Sequence, residues 1–284
     1  MRLAVALAAV LLGPPARADE PEALAIETRT VVMRPLWELG IGAGALRLPD
    51  YRGSDQSRTL WFPVPYGVYR GKWLRADREG ARAVLLDAQS LEVDLSLAAS
   101  PPTRSRDNSA RAGMPDLKAA IEFGPNVNLT LLRTTDRKLK LDLRLPLRAA
   151  FTVQRSPRAI GLTFAPNLNL DVLEFGGGWN IGLLAGPVFA NRRYHERIYG
   201  VDAAFATPQR AAYRAGGGYS GWQTLASVSR RFDSVWMGAF LRYDNLRGAA
   251  FSDSPLLRRD HAVTVGFGVS WVLSTSSELV PTFD

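Results

Sequence analysis

The chain has 284 residues, 46% hydrophobic and 22% charged, with a formal net charge of +8 and no Cys. This length admits one large domain or two ordinary ones, the apolar fraction excludes a disordered chain, and the absence of Cys excludes disulfides, thiolate metal sites and a Cys nucleophile. The excess of Lys and Arg points to an acidic partner surface without naming it, and a mean hydropathy of −0.06, taken alone, reads as a soluble protein.

The N-terminus changes that reading. Met1-Arg2 is a short positive segment, Leu3 to Leu12 is an unbroken apolar run, and Gly13-Pro14-Pro15 leads into Ala16-Arg17-Ala18. This order predicts a secretory signal over residues 1–18, cleaved after Ala18, because the apolar run is too short to span a bilayer as a helix. Its removal takes Arg2 and Arg17, so 8 − 2 leaves a mature charge of about +6. No spanning helix follows: the uncharged stretch 175–191 is broken by Gly, Pro and Asn, and 261–277 is interrupted by Ser and Thr. The mature chain is therefore either a soluble exported protein or a membrane barrel.

The hydrophobic period decides between them. Along 36–48, Trp37, Leu39, Ile41 and Ala43 alternate with Glu38, Gly40, Gly42 and Gly44. Strands at 58–70, 72–78, 81–88 and 90–99 follow, the last placing Leu91, Val93, Leu95 and Leu97 opposite Glu92, Asp94 and Ser96. Residues 117–131 and 139–153 alternate over their whole length, and the pattern continues at 161–173, 179–190, 219–232, 235–246 and 261–273. Period two puts successive side chains on opposite faces of a sheet. Strands of soluble domains average about 5–6 residues, whereas a tilted membrane strand needs about 9–11. The expected fold is all-β, a transmembrane antiparallel β-barrel over 36–273 with about twelve strands and ten as the fallback. Residues 19–35 precede it as a periplasmic segment, and 274–284 follow as a periplasmic tail.

Loop lengths agree with an even count. If the first strand runs outward, the long polar segments 100–116, 191–218 and 247–260 all fall outside, and the turns at 175–178 and 233–234 fall inside. Aromatics such as Trp61, Tyr66, Trp179, Tyr194, Tyr199, Tyr213 and Trp271 are expected near strand ends, as interfacial girdles.

Parity then nominates two sets of functional residues. Glu92, Asp94, Lys118, Glu122, Lys140, Asp142, Arg144, Arg148, Asp171, Arg242 and Asp244 belong to the polar class and are expected to face the lumen, with a narrow or plugged interior at twelve strands. Arg104, Arg106, Arg192, Arg193, Arg258 and Arg259 lie in the outer loops, beside Arg111, Arg197 and Arg210. Guanidinium binds phosphate bidentately, so lipopolysaccharide is their expected contact, together with outer-membrane lipid. Scattered Arg on exported loops do not suggest nucleic acid. Only His195 and His261 could act as imidazole bases, and no spacing marks a nucleophile, a metal site or a cofactor loop. No enzyme activity and no cofactor are expected.

Several segments together resemble one family. Tyr51-Arg52-Gly53-Ser54 is similar to its "Y-x-G-S" outer loop. Arg75-Ala76-Asp77-Arg78-Glu79-Gly80, the run Arg111 to Leu117, Tyr199-Gly200-Val201, the run Ala212 to Gly218, Asp253-Ser254-Pro255-Leu256 and the closing run Val265 to Trp271 follow in the family's order. The chain thus resembles the MipA/OmpV outer-membrane proteins over nearly all of its mature length. The resemblance implies an outer-membrane barrel without catalytic motif. It also implies a scaffold that joins a murein transglycosylase to a murein synthase; the alternatives are a small-solute channel of narrow lumen, resting on the polar lumen residues, and a surface adhesin using loops 100–116 and 191–218.

Overall fold

The computed structural model describes residues 31–71, 74–77, 80–88 and 90–283. The expected leader 1–18 and residues 19–30 lie outside the described residues. Fifteen strands are present: β1 (Val31–Pro35), β2 (Trp37–Pro49), β3 (Ser57–Arg70), β4 (Leu74–Asp77), β5 (Gly80–Asp87), β6 (Leu91–Ser100), β7 (Ala120–Arg133), β8 (Leu139–Thr152), β9 (Ala159–Phe164), β10 (Asn167–Glu174), β11 (Trp179–Ala190), β12 (Gly218–Phe232), β13 (Val235–Asn245), β14 (His261–Thr275) and β15 (Leu279–Phe283).

Strands β2 to β14 form one antiparallel sheet in chain order. β14 returns to pair with β2, from Val265↔Arg47 to Thr275↔Glu38, so the sheet closes on itself, with β3 joined to the short β4 only through Tyr69 and Arg70. Of its thirteen segments, β9 and β10 both pair with β8 and with β11 and are halves of one strand, which leaves twelve. The break falls at Ala165-Pro166, where proline has no N–H to give to a ladder. The expected count of twelve and most strand bounds match. One boundary moves: β7 begins at Ala120 rather than at 117, because Leu117 pairs with Thr103 inside the preceding loop. Lys118 therefore lies ahead of the strand and is exposed, not on the inward face.

Burial alternates along the strands. Leu39, Ile41, Leu97, Phe267 and Trp271 each expose half or more of their surface, and Trp61 exposes 74%. Their neighbours Glu38, Asp94 and Ser270 are buried. An apolar surface this continuous is one that lipid covers. Among the described residues no helix is long and apolar enough to cross a membrane, so the strands make the crossing.

The two ends of the barrel differ. Among the connections described throughout, those at one end are 134–138, 175–178 and 233–234; at the other, 50–56, 101–119, 153–158, 191–217 and 246–260 are longer. Outer-membrane barrels keep short turns in the periplasm and long loops outside. At the short-turn end the segment after β14 does not trail away. β15 pairs antiparallel with β1, Val31↔Phe283 to Pro35↔Leu279, and the Leu36 and Ser276 N–H groups donate to Glu278 O (2.8 Å) and Trp37 O (2.9 Å). The two termini thus make a separate two-stranded ribbon.

Candidate functional site

The long loops do not hang free; they fold into a cap with its own core. Tyr51, Leu117, Tyr199, Ala215, Leu246, Ala249 and Phe251, drawn from four loops, form one buried cluster. Tyr199 ends the helix Arg192–Tyr199 and stacks on Phe251, with ring centroids 3.6 Å apart and planes at 8°. His195, one turn earlier, meets the edge of Phe251 at 4.8 Å. Its two ring nitrogens lie 2.7 Å from Gly216 O and 3.0 Å from Ser220 Oγ. Burial favours the neutral imidazole and holds the His195 pKa below its usual value, a shift the Gly216 carbonyl opposes.

Several polar side chains inside the cap donate to backbone carbonyls of other loops. Tyr51 Oη donates to Leu256 O (2.8 Å), Tyr199 Oη to Arg52 O (2.8 Å) and Ser254 Oγ to Tyr199 O (2.7 Å). Asn108 Nδ2 donates to Asp50 Oδ2 (2.9 Å) and Ser54 Oγ (3.0 Å). Gly53 has φ +87°, and its carbonyl accepts from the Arg258 and Arg259 N–H groups at 2.8 and 3.0 Å. A Cβ there would stand 2.3 Å from Leu257 Cδ1, so the loop needs glycine both for its backbone and for the close approach.

Three of the outer-loop arginines are structural. Arg111 is buried, donates to Ile198 O (2.7 Å) and stands 5.9 Å over the Tyr51 ring. Burial draws its pKa down to about 10 and pushes Tyr51 up to about 12. Arg210 donates to the carbonyls of Ala110 (2.9 Å), Ala112 (3.0 Å) and Phe205 (2.7 Å), and Arg197 donates to Lys118 O. Arg104, Arg106, Arg192, Arg193, Arg258 and Arg259 are exposed, with Arg106 beside Asp107 (3.6 Å) and Arg258 beside Asp55 (3.7 Å).

Below the cap, the residues alternating with the exposed apolar set form connected polar networks. Asp94 accepts from Asn126 and Asn128, and Asn128 also reaches Glu92. Asp142 is buried beside Lys140 (2.9 Å) and Arg144 (3.6 Å), and Arg144 continues to Asp171 (3.6 Å). Glu122 accepts from Tyr194 Oη (2.8 Å) and Thr163 Oγ1 (3.0 Å), while Arg148 donates to Ser96 Oγ. Across the barrel, Asp244 takes Arg242 (2.9 Å) from its own strand and Arg52 (3.0 Å) from the cap, tying loop to wall. Charges held this way cost little only because each meets an opposite charge or a donor.

Beside these polar groups, β2, β13 and β14 also carry a run of glycines of the same parity class: Gly40, Gly42, Gly44, Gly238, Gly266 and Gly268. Bulky rings lie over them: a Cβ at Gly266 would meet Phe240 at 2.4 Å, one at Gly238 would meet Trp236 at 2.6 Å, and Tyr66 packs 6.3 Å from Trp236. Tyr66, Tyr194 and Tyr199 are therefore interior groups rather than members of an interfacial girdle. Trp61 and Trp271 remain exposed on the apolar face.

His261 meets Asp260 (2.9 Å) and stacks on Tyr243 (ring centroids 6.2 Å), His195 is enclosed, and no group of three metal-ligating side chains occurs among the described residues. The cap could not be foreseen as a unit, because its members lie up to two hundred residues apart in sequence. The one local signal was the Tyr51-Arg52-Gly53-Ser54 segment, all of which takes part.

Two solved structures are similar to parts of this chain: one described as a bacterial polysaccharide outer membrane secretin, at 11% identity over 84% of this chain and 99% of that one, TM-score 0.41; the other a NanC porin, at 9% identity over 82% and 100%, TM-score 0.39. No curated protein matches the chain. Residues 41–273, from the first full barrel strand to the last, match the family described as MltA-interacting protein MipA. The closed twelve-stranded barrel with its folded cap is thus an outer-membrane protein, and the chain belongs to the MipA family.

Proposed function

We propose that this protein is a non-enzymatic platform in the outer membrane that docks murein-remodelling enzymes on its periplasmic side. The observation that carries the reading is the asymmetry of the two ends. Outside, four loops share a buried core over the barrel mouth, which argues against a permanently open pore. Inside, the termini form the ribbon β1–β15, whose outer edges pair with no further strand among the described residues. A two-stranded ribbon is marginal alone, and free edges accept a partner's strand through main-chain hydrogen bonds. The family's description as MltA-interacting supplies the class of partner, a lytic murein transglycosylase, with a murein synthase as a second client.

Photo-crosslinkers placed in living cells at Met33 and Leu279, both exposed on the ribbon, test this. Capture of a murein transglycosylase from these sites, and not from Arg104 in the cap, is expected. Recovery of no murein enzyme from either ribbon position would remove the reading.

A further inference from the structure

We infer that the outer rim carries a binding cleft for the phosphorylated headgroup of an outer-leaflet glycolipid, between the helix Arg192–Tyr199 and the β8–β9 hairpin. The cleft is about 950 Å³. Its cations come from three separate segments: Lys118 ahead of β7, Arg158 on the hairpin, and Arg192, Arg193 and Arg197 on the helix. Only two carboxylates, Asp116 and Glu196, line it, so the walls hold an excess of three positive charges.

Those two carboxylates are already engaged. Asp116 accepts from the Ser105 N–H at 2.8 Å and Glu196 from the Ala215 N–H at 2.6 Å. Arg197 is held across the cleft by the Lys118 carbonyl. Lys118, Arg158, Arg192 and Arg193 are all exposed and find no ion-pair partner among the described residues. Four unpaired cations converging on one concavity repel one another until an anion enters, and phosphate, with several acceptor oxygens, suits guanidinium forks.

Position selects the source of that phosphate. The cleft lies where β8 ends at Thr152 and β9 begins at Ala159. Its apolar lining is Ala159 and Ile160, and Val153, just past the end of β8, and Leu162 on β9 are 53% and 48% exposed. A ligand with phosphates above and acyl chains below meets both parts. Of the six exposed arginines expected to contact lipopolysaccharide, the cleft gathers Arg192 and Arg193, while Arg104, Arg106, Arg258 and Arg259 are not among its lining residues. The site is independent of the periplasmic docking reading.

Native mass spectrometry of the full mature protein in detergent tests it, with bisphosphorylated lipid A, dephosphorylated lipid A and inorganic phosphate as probes. R158A/R192A/R193A alters only exposed side chains, and heat-modifiable gel migration checks that the barrel has folded. The expected result is at least tenfold weaker retention of bisphosphorylated lipid A by this variant. R104A/R106A/R258A should stay within twofold of the parent. Equal retention of dephosphorylated lipid A, equal loss in the control variant, or inorganic phosphate competing at equal concentration would each overturn the glycolipid site.

Discussion

Replacing Phe251 with Ala should open the cap and leave the barrel standing. Phe251 is fully buried, stacks on Tyr199 at 3.6 Å and receives the edge contact of His195 at 4.8 Å. Truncating a buried Phe costs about 3–5 kcal/mol, and Tyr199, which stacks on this ring, is itself tied by its Oη to Arg52 O. At about 1.4 kcal/mol per factor of ten, the open population of the cap rises between about one hundred and a few thousand fold. Hydrogen exchange followed by mass spectrometry reads this directly, because cap amides such as Leu246 N–H to Asp260 O (2.7 Å) and Val201 N–H to Tyr213 O (2.8 Å) exchange through local opening. Peptides from 195–215 and 246–260 should lose protection together, and those from β7, β8 and β12 should not. Phe175→Ala, at an inner turn where the ring is 60% exposed, is the control and should change nothing in the cap. Unchanged exchange in F251A, or equal loss in the strands, would refute a separately cooperative cap.

Gly53→Ala should weaken the Arg258 and Arg259 amide bonds by about 1–3 kcal/mol, since it adds strain at φ +87° to a clash with Leu257; Gly113→Ala, at φ +79° with open space around it, should show the smaller, purely conformational part in the same exchange experiment. Glu38→Gln weakens charge-assisted bonds from Arg70 (2.6 Å) and Arg231 at the periplasmic mouth, and should cost about 1.5–3 kcal/mol in urea unfolding from lipid vesicles. Acidification should loosen the cap through His195. Its folded pKa lies below the ordinary 6.5, so the unfolded cap binds the proton more readily; the contribution is complete above 6.5 and is lost as pH falls through 6.5 toward the folded value. Protection factors in 195–215, corrected for the intrinsic pH dependence of amide exchange, should therefore fall between pH 7 and pH 5, and His195→Gln should flatten that dependence.

The strands were legible because a barrel wall is one residue thick. Each side chain faces either lipid or interior, so a period of two survives intact over segments such as 139–152, and loop length then orients the whole. Lys118 shows where this fails: parity continues past the true strand end, and only the Thr103↔Leu117 bridge ends it. The cap was illegible for a different reason. Arg111 and Arg210 carry the same charge as Arg104 and Arg106, and nothing local tells an arginine that will cross-link loop carbonyls from one that will face water. The ribbon β1–β15 joins opposite ends of the chain, so its pairing has no local period to display it.

The glycine wall also explains an early misdirection. Gly and polar residues on the inward face pull the mean hydropathy to −0.06, although the outward face carries most of the exposed large apolar side chains. Glycines at Gly238 and Gly266 leave room for Trp236 and Phe240 to lie flat against the wall. Aromatic rings that composition alone would send to the membrane interface are thus consumed inside the barrel.

Single-channel recording in planar bilayers tests the capped-platform account most directly. The account predicts that the wild-type protein gives no steady conductance steps under conditions where F251A, with its cap opened, does. Large, stable steps from the wild-type protein would contradict it and make the barrel a channel.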